Sequence, residues 1–157
     1  MKDDFAQTFL DEASQLEILV ADLYTIFEKS FPEDSKIWHQ LVHEEKNHAA
    51  LIRTIKNNPN WSKQFVASFS PGLLKEIQEI KKWLSSLIVK FSEKKPDRKT
   101  AFNTAMKVEK SSGEIDYRNF MTQKTDSWIL KGLQRISQYD REHLIRLEQY
   151  IEENKII

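Results

Sequence analysis

Apolar residues recur along this chain at the three-and-four spacing of helices, and the periodic segments are separated by short clusters of turn residues. The breaks fall at Phe31-Pro32-Glu33-Asp34, Asn57-Asn58-Pro59-Asn60, Ser70-Pro71-Gly72, Lys94-Lys95-Pro96-Asp97 and the polar stretch around Thr125-Asp126. Between them the pattern predicts helices over about 3–29, 35–56, 97–122 and 126–153, with Ser35, Asp97 and Asp126 as capping residues. These four are long enough to form a bundle. A further helix over about 71–92 has Pro71 in its first turn and carries Leu73, Leu74, Ile77, Ile80, Leu84, Leu87, Ile88 and Phe91 at helical spacing. It reads as an amphipathic crossover between two halves of the bundle. Residues 61–68 fit either one short helical turn or an ordered loop.

The inward stripes are not wholly apolar. In the first helix Leu10, Ala13, Glu17, Val20, Ala21, Tyr24 and Phe27 share a face, which places a carboxylate in the middle of a core stripe. The second helix brings together Trp38, Leu41, Val42, Glu45, His48, Ala49 and Ile52, so that Glu45 and His48 project to one side. The helix over 97–122 repeats the first: its stripe is Phe102, Ala105, Met106, Glu109, Gly113 and Phe120, and Ala105 precedes Glu109 as Ala13 precedes Glu17. The last helix repeats the second, with Leu133, Ile136, Asp140, His143, Leu144, Leu147 and Ile151. Glu17 and Glu45 are three residues closer than Glu109 and Asp140, a difference one longer turn absorbs. The chain therefore reads as a duplicated helix pair.

Four carboxylates left ionised in a core would each cost several kcal/mol. Two divalent cations would balance their charge and take both imidazoles as ligands. One carboxylate from each of two helices, with an acid-x-x-His from each of the other two, is the ligand set of a di-iron or di-manganese bundle. Oxygen and imidazole donors suit iron and manganese and also admit zinc. The candidate metal ligands are thus Glu17, Glu45, His48, Glu109, Asp140 and His143.

Composition narrows the setting. The 157 residues suffice for a single domain over 1–157, and Gly 3 with Pro 4 is too few for a turn-rich β architecture. Lys plus Arg 24 against Asp plus Glu 24 leaves no net field to favour nucleic acid or an anionic membrane as a partner. The absence of cysteine excludes disulfides, iron–sulfur ligation and a thiol nucleophile. The first residues do not resemble a signal peptide, and the longest uncharged run, 64–74, is far short of a membrane span, so a cytoplasmic protein is expected.

The run Ala105-Met106-Lys107-Val108-Glu109-Lys110-Ser111-Ser112-Gly113-Glu114-Ile115-Asp116-Tyr117 resembles the third bundle helix of the rubrerythrin branch of the ferritin-like family, and Glu45-Lys46-Asn47-His48-Ala49 resembles its second. The resemblance covers the four bundle helices, about two thirds of the chain, and leaves 71–92 unmatched. It implies an all-α ferritin-like four-helix bundle of two duplicated pairs around two iron ions. Glu45 and Asp140 would bridge them, and Glu17, Glu109, His48 and His143 would be terminal ligands. It also implies peroxide or dioxygen as the oxidant, with Tyr24 and Tyr117, one to two turns beyond Glu17 and Glu109, beside the metals as catalytic support. Three features differ from the family. The rubredoxin module needs four cysteines, so an electron donor would be a separate protein. Ser112 stands where rubrerythrins carry an additional Glu, and Asp140 replaces the usual Glu with a shorter side chain. Both differences lie in the second half, whose metal is expected to bind more weakly.

Other candidates read more plainly. His39 and His43 are four apart but lie off the inward stripe, which makes them surface residues and not a zinc pair. Asp116 follows Glu109 by two turns and fits either an extra ligand or a local partner of Arg118. Tyr24 fits equally a core tyrosine with a satisfied hydroxyl. Three functions follow as expectations: a di-iron oxidoreductase, an iron-binding or iron-oxidising store or sensor, and a bundle serving as a scaffold that docks partners through the crossover helix. Apolar residues left over on that helix fit a homodimer.

Overall fold

A computed structural model describes residues 2–57, 71–114 and 128–157. All the described secondary structure is helical: α1 Lys2–Ser30, a 3-10 turn Pro32–Asp34, α2 Ser35–Lys56, α3 Pro71–Glu93, α4 Arg98–Glu114 and α5 Trp128–Glu153. The crossover expected over 71–92 is α3. Of the expected helix over 97–122, residues up to Glu114 are described. The turn expected within 61–68, the cap Asp126 and the residues Asp116 and Tyr117 lie outside the described residues, as do the side chains of Asp140 and Ser112.

Side-chain pairs fix the direction of each helix. Lys56 at the end of α2 pairs with Asp11 near the start of α1, while His39 near the start of α2 meets Glu28 near the end of α1 at 2.9 Å, so the two run antiparallel. Along α5, Ile55 lies beside Gly132, Glu44 beside Arg146, and Asp34 beside Tyr150, which makes α5 antiparallel to α2. Phe102 stacks on Tyr150, and Glu109 faces His143, so α4 runs against α5. The third helix lies outside this square of four and packs along α1. Lys81 reaches Glu12 at 2.6 Å and Phe91 meets Phe27 at 5.7 Å between ring centroids, so α3 is parallel to α1. It carries the chain from the end where α2 finishes to the end where α4 must start. That transit makes the two hairpins compatible with a single short link, 94–97, into α4.

The core is the inner surface of these helices. Leu10, Ala13, Val20, Ala21, Tyr24 and Phe27 of α1, Trp38, Leu41, Val42, Ala49 and Ile52 of α2, and Phe102 and Ala105 of α4 are buried, as the stripes require. From α3, Leu73, Ile77, Leu84 and Phe91 are buried against α1, while Val89 faces outward, 58% exposed. His39 and His43 are exposed, as expected of residues off the stripe. At the C-terminus Lys155 takes a positive φ of 52° while the Ile156 and Lys155 amides donate to the Ile151 and Glu152 carbonyls, closing the last turn of α5.

Two expected caps fare differently. Asp97 Oδ1 accepts a 2.7 Å hydrogen bond from the Thr100 amide, which makes it the cap of α4. Ser35 is not the cap of α2: it is the first helical residue, and Asp34 precedes it without a side-chain capping bond. The reason is that the Asp34 carboxylate, 1% exposed, is turned inward to another task. It accepts hydrogen bonds from Arg98 Nε (2.8 Å), Arg98 Nη2 (2.6 Å) and the Tyr150 hydroxyl (2.7 Å). One buried carboxylate thereby ties the α1–α2 turn to the start of α4 and the last turns of α5. Burial and the Asp34 charge push the Tyr150 phenol up to about 12, so it remains a donor at neutral pH. Replacing Asp34 with alanine strands Arg98 and Tyr150 together. The free energy of urea unfolding is expected to fall by about 2–4 kcal/mol, against about 1 kcal/mol for Tyr150→Phe; equal losses in the two variants would contradict a clasp centred on Asp34.

Candidate metal centre

Glu17 projects from the middle of α1, Glu45 and His48 from α2, Glu109 from α4 and His143 from α5. Each lies on the inward stripe of its helix, Glu17 between Ala13 and Val20, Glu45 after Leu41 and Val42, His48 before Leu51 and Ile52, Glu109 after Ala105 and Met106, and His143 before Leu147, so packing the stripe draws the polar group inward. Exposures are 5% for Glu17, 1% for Glu45, 5% for His48, 2% for Glu109 and 1% for His143. Five of the six expected ligands therefore meet at the centre of the bundle. The sixth, Asp140, has a side chain outside the described residues; its backbone lies one turn before His143 on α5.

The five form two overlapping groups. Glu17, Glu45 and His48 each offer an oxygen or ring nitrogen within 4.8 Å of the other two, and so do Glu45, Glu109 and His143. Glu45 belongs to both. Its Oε1 lies 3.0 Å from His143 Nδ1, and its Oε2 lies 3.4 Å from His48 Nδ1. His143 Nδ1 is also 3.6 Å from Glu109 Oε2. The two imidazoles stack at 5.4 Å between centroids and 13° between planes, and Nδ1 of each ring faces Glu45. Glu45 Oε2 and His143 Nδ1 are buried without a hydrogen-bond partner, which is where a bound cation would find donors with lone pairs available.

Supports surround the second group. The Tyr24 hydroxyl donates to Glu109 Oε1 at 2.6 Å, holding that carboxylate from α1. On the outer side of His143, Nε2 lies 2.7 Å from Glu44 Oε2, and Arg146 Nη1 donates to both Glu44 oxygens at 3.0 and 2.8 Å. Glu44 and Arg146 are missing from the sequence reading. Glu44 falls between the core stripe and solvent, its side chain 29% exposed, and periodicity cannot separate such a boundary acid from a solvated one. The one available signal is Arg146, a turn beyond His143 on the same helix. Tyr24, expected beside the cluster, is found there; Tyr117 lies outside the described residues.

The electrostatics are those of acids held in a dry place. Burial, then the neighbouring Glu45 charge, raises Glu17 well above the usual carboxylate range. Burial and the Glu109 charge raise Glu45 to about 7, against the opposing pull of His143. Burial lowers His48 and favours the neutral ring. Burial also disfavours charge on His143, but the surrounding Glu109, Glu44 and Glu45 carboxylates outweigh it and hold the imidazolium far above its ordinary range. Against its own partial desolvation, the His143 and Arg146 partners lower Glu44 to about 2. Without metal, the cluster is thus kept near neutrality by retained protons and one imidazolium. Coordination would replace both: carboxylate oxygens and imidazole nitrogens bind cations only when their protons have left.

No protein-family model, curated protein or solved structure matches the chain. The chemistry of the cluster is accordingly argued from its own residues, and the donor set, oxygen and imidazole without sulfur, is that of iron, manganese or zinc.

A pH dependence follows with a definite sign. Glu45 titrates near 7 in the fold and at 4.5 when unperturbed, so between those values the folded protein holds a proton that the unfolded chain has released. This contribution to stability is complete below 4.5 and is lost as pH rises toward 7, a change of roughly 3 kcal/mol. Raised Glu17 adds in the same direction. Urea unfolding of metal-free protein across this window should show a fall in wild type that is flattened in Glu45→Gln; parallel pH profiles for the two proteins would refute the assignment.

Proposed function

We propose that the chain is a two-metal carboxylate–histidine protein of the ferritin-like kind, acting as a rubrerythrin-like oxidoreductase that reduces peroxide or dioxygen. The observation that carries this reading is the sharing of Glu45 between two buried ligand groups drawn from four helices. Three buried carboxylates here face imidazole nitrogens of the kind that metals take, and Glu45 Oε2 is buried without a hydrogen-bond partner. The up-down arrangement with a crossover segment, and the resemblance of the α2 and α4 sequences to rubrerythrins, support the same family.

Glu17, Glu45 and His48 would hold one ion, and Glu45, Glu109 and His143 the other. By the family resemblance Asp140 would add a second bridge. Iron bound there would supply electrons and Lewis acidity to a peroxide or dioxygen substrate. The chain's own contributions are distinct from this. Phe102, Leu41, Val20 and Ala49 close the bundle around the cluster and keep bulk water away. Tyr24 fixes the orientation of Glu109. Glu44 and Arg146 fix the ring plane of His143, leaving Nδ1 toward the centre. Lacking cysteine, the chain has no redox centre of the iron–sulfur type with which to receive electrons, so a separate donor protein is part of the proposal.

Protein loaded with Fe(II) without oxygen should contain two ions per chain by elemental analysis and melt at a higher temperature than the metal-free form. Glu45→Ala combined with His48→Ala should remove the metal, and two ions retained in that variant would sink the assignment. Repeated peroxide consumption with a reductant is expected of an oxidoreductase. A single stoichiometric oxidation of Fe(II) without turnover would instead identify an iron-handling protein.

A further inference from the structure

Beside the cluster an unbroken run of aromatic rings leads out of the core. Tyr24, hydrogen-bonded to Glu109, lies 5.6 Å from Trp38 between ring centroids. Trp38 is 4.6 Å from Phe102, and Phe102 stacks on Tyr150 at 5.6 Å with 16° between planes. Tyr24, Trp38 and Phe102 are fully buried, whereas Tyr150 is half-buried and borders a surface groove with Lys36, Gln40 and Gln149. Ring packing alone would account for four aromatics in a core. It does not account for their order or their polar partners. Both phenols have a carboxylate acceptor, Glu109 for Tyr24 and Asp34 for Tyr150. The indole between them has none, Trp38 Nε1 being buried without a hydrogen-bond partner. Phenols give up an electron readily only when their proton has somewhere to go, while an indole can lose an electron and keep its proton. A branch of the same aromatic cluster, Phe27 to Phe91, offers neither group.

We propose that Tyr24, Trp38 and Tyr150, with Phe102 as a bridge between the last two, form a one-electron path joining the carboxylate–histidine cluster to the surface at the outer end of α2 and α5. The inference rests on the function proposed above for its oxidant, a peroxide or dioxygen held in the cluster. Tyr24 gives one electron to that oxidant and its phenol proton to Glu109 Oε1, becoming a phenoxyl radical. Trp38 then gives one electron to Tyr24, which takes its proton back from Glu109. Tyr150 restores Trp38 with one electron through Phe102 and passes its own proton to Asp34 Oδ1. A one-electron reductant at the surface returns an electron to Tyr150, which recovers the proton from Asp34. Each passage moves one electron from the external reductant to the oxidant and regenerates every path residue; two passages, with two protons taken from solvent, reduce one peroxide to two molecules of water. When no reductant is present, the same path drains an oxidising equivalent away from the metal ligands to the surface.

The path is testable without metal. Because the chain has no cysteine, Gln149→Cys places a single thiol on an exposed position next to Tyr150, and a ruthenium polypyridyl label attached there generates a strong one-electron oxidant on flash-quench. In metal-free, full-length protein the expected product is a phenoxyl radical. With Tyr24→Phe and Tyr150→Phe both added, the hole should stop at Trp38 and give the optical and paramagnetic signature of an indole radical. Adding Trp38→Phe to that variant should abolish the indole signal, with helicity by circular dichroism unchanged. Should the Trp38 variant fail to fold, Phe102→Leu replaces it and should also lose the indole signal. An indole signal that fails to form in the double tyrosine variant, or that persists unchanged when Trp38 is also replaced, would overturn the path. Since no metal takes part, a failure to bind iron would undo the function proposed above and leave this result untouched, and the converse holds.

Discussion

Glu17, Glu45 and Glu109 occupy core positions on three helices, and most of the structure can be understood from what it takes to keep them there. An ionised carboxylate removed from water loses several kcal/mol of hydration, which a bundle of Leu, Val and Phe cannot return. Cations, protons or hydrogen-bond donors must therefore come to the acids. The metal-free chain supplies all three kinds of compensation: protons retained on Glu17 and Glu45, an imidazolium at His143, and the Tyr24 hydroxyl on Glu109. Replacing the acids with leucine would remove the need for any of them. Divalent cations could take the place of the retained protons as counterions.

The same constraint explains the length and order of the helices. Glu17, Glu45, His48 and His143 each have two or more turns of helix on either side, and the packing of those turns holds the backbones in register around the centre. Register also has to be set at an end, where helices fray. Asp34 does this by joining the α1–α2 turn to Arg98 at the start of α4 and Tyr150 near the end of α5. The third helix contributes differently. It supplies no candidate ligand, but by running parallel to α1 it returns the chain to the end where α4 begins, and its buried Leu84 and Phe91 widen the base on which α1 is held.

Much of the centre was legible before any coordinates, because a carboxylate on an otherwise apolar stripe is conspicuous in a helix of period 3.6. Glu17 between Ala13 and Ala21, and Glu45 with His48 between Leu41 and Ile52, are residues whose neighbours leave them no route to solvent. Their repetition as Glu109 and His143 made the duplication visible. What periodicity could not reveal was the boundary residues. Glu44 sits beside Glu45 in sequence but faces away from the stripe, and only the approach of α5 turns it toward His143 Nε2. Asp34 is a similar case: in sequence it is a turn acid before a helix, and its burial depends on Arg98 arriving from a distant segment. Caps are local and can be read locally, as Asp97 was; long-range ion pairs depend on tertiary packing that a stripe does not encode.

The supports also change how the duplication is understood. Judged by sequence, the second half is the weaker one, with Asp140 for Glu and Ser112 for a further acid. Yet the described candidate ligands of that half, Glu109 and His143, are held from outside the cluster, and the residues that hold them, Tyr24 and Glu44, belong to α1 and α2 of the first half. The two helix pairs are thus not independent units placed side by side. The geometry of the second group depends on the first pair being docked against it, and Glu45 makes the dependence mutual by reaching into both. In a structure so interlocked, cluster, clasp and aromatic run share the same helices: Tyr150 serves Asp34 at one end of the ring series, and Tyr24 serves Glu109 at the other. A disturbance of the docking between halves would therefore reach the ligands and the route toward them together.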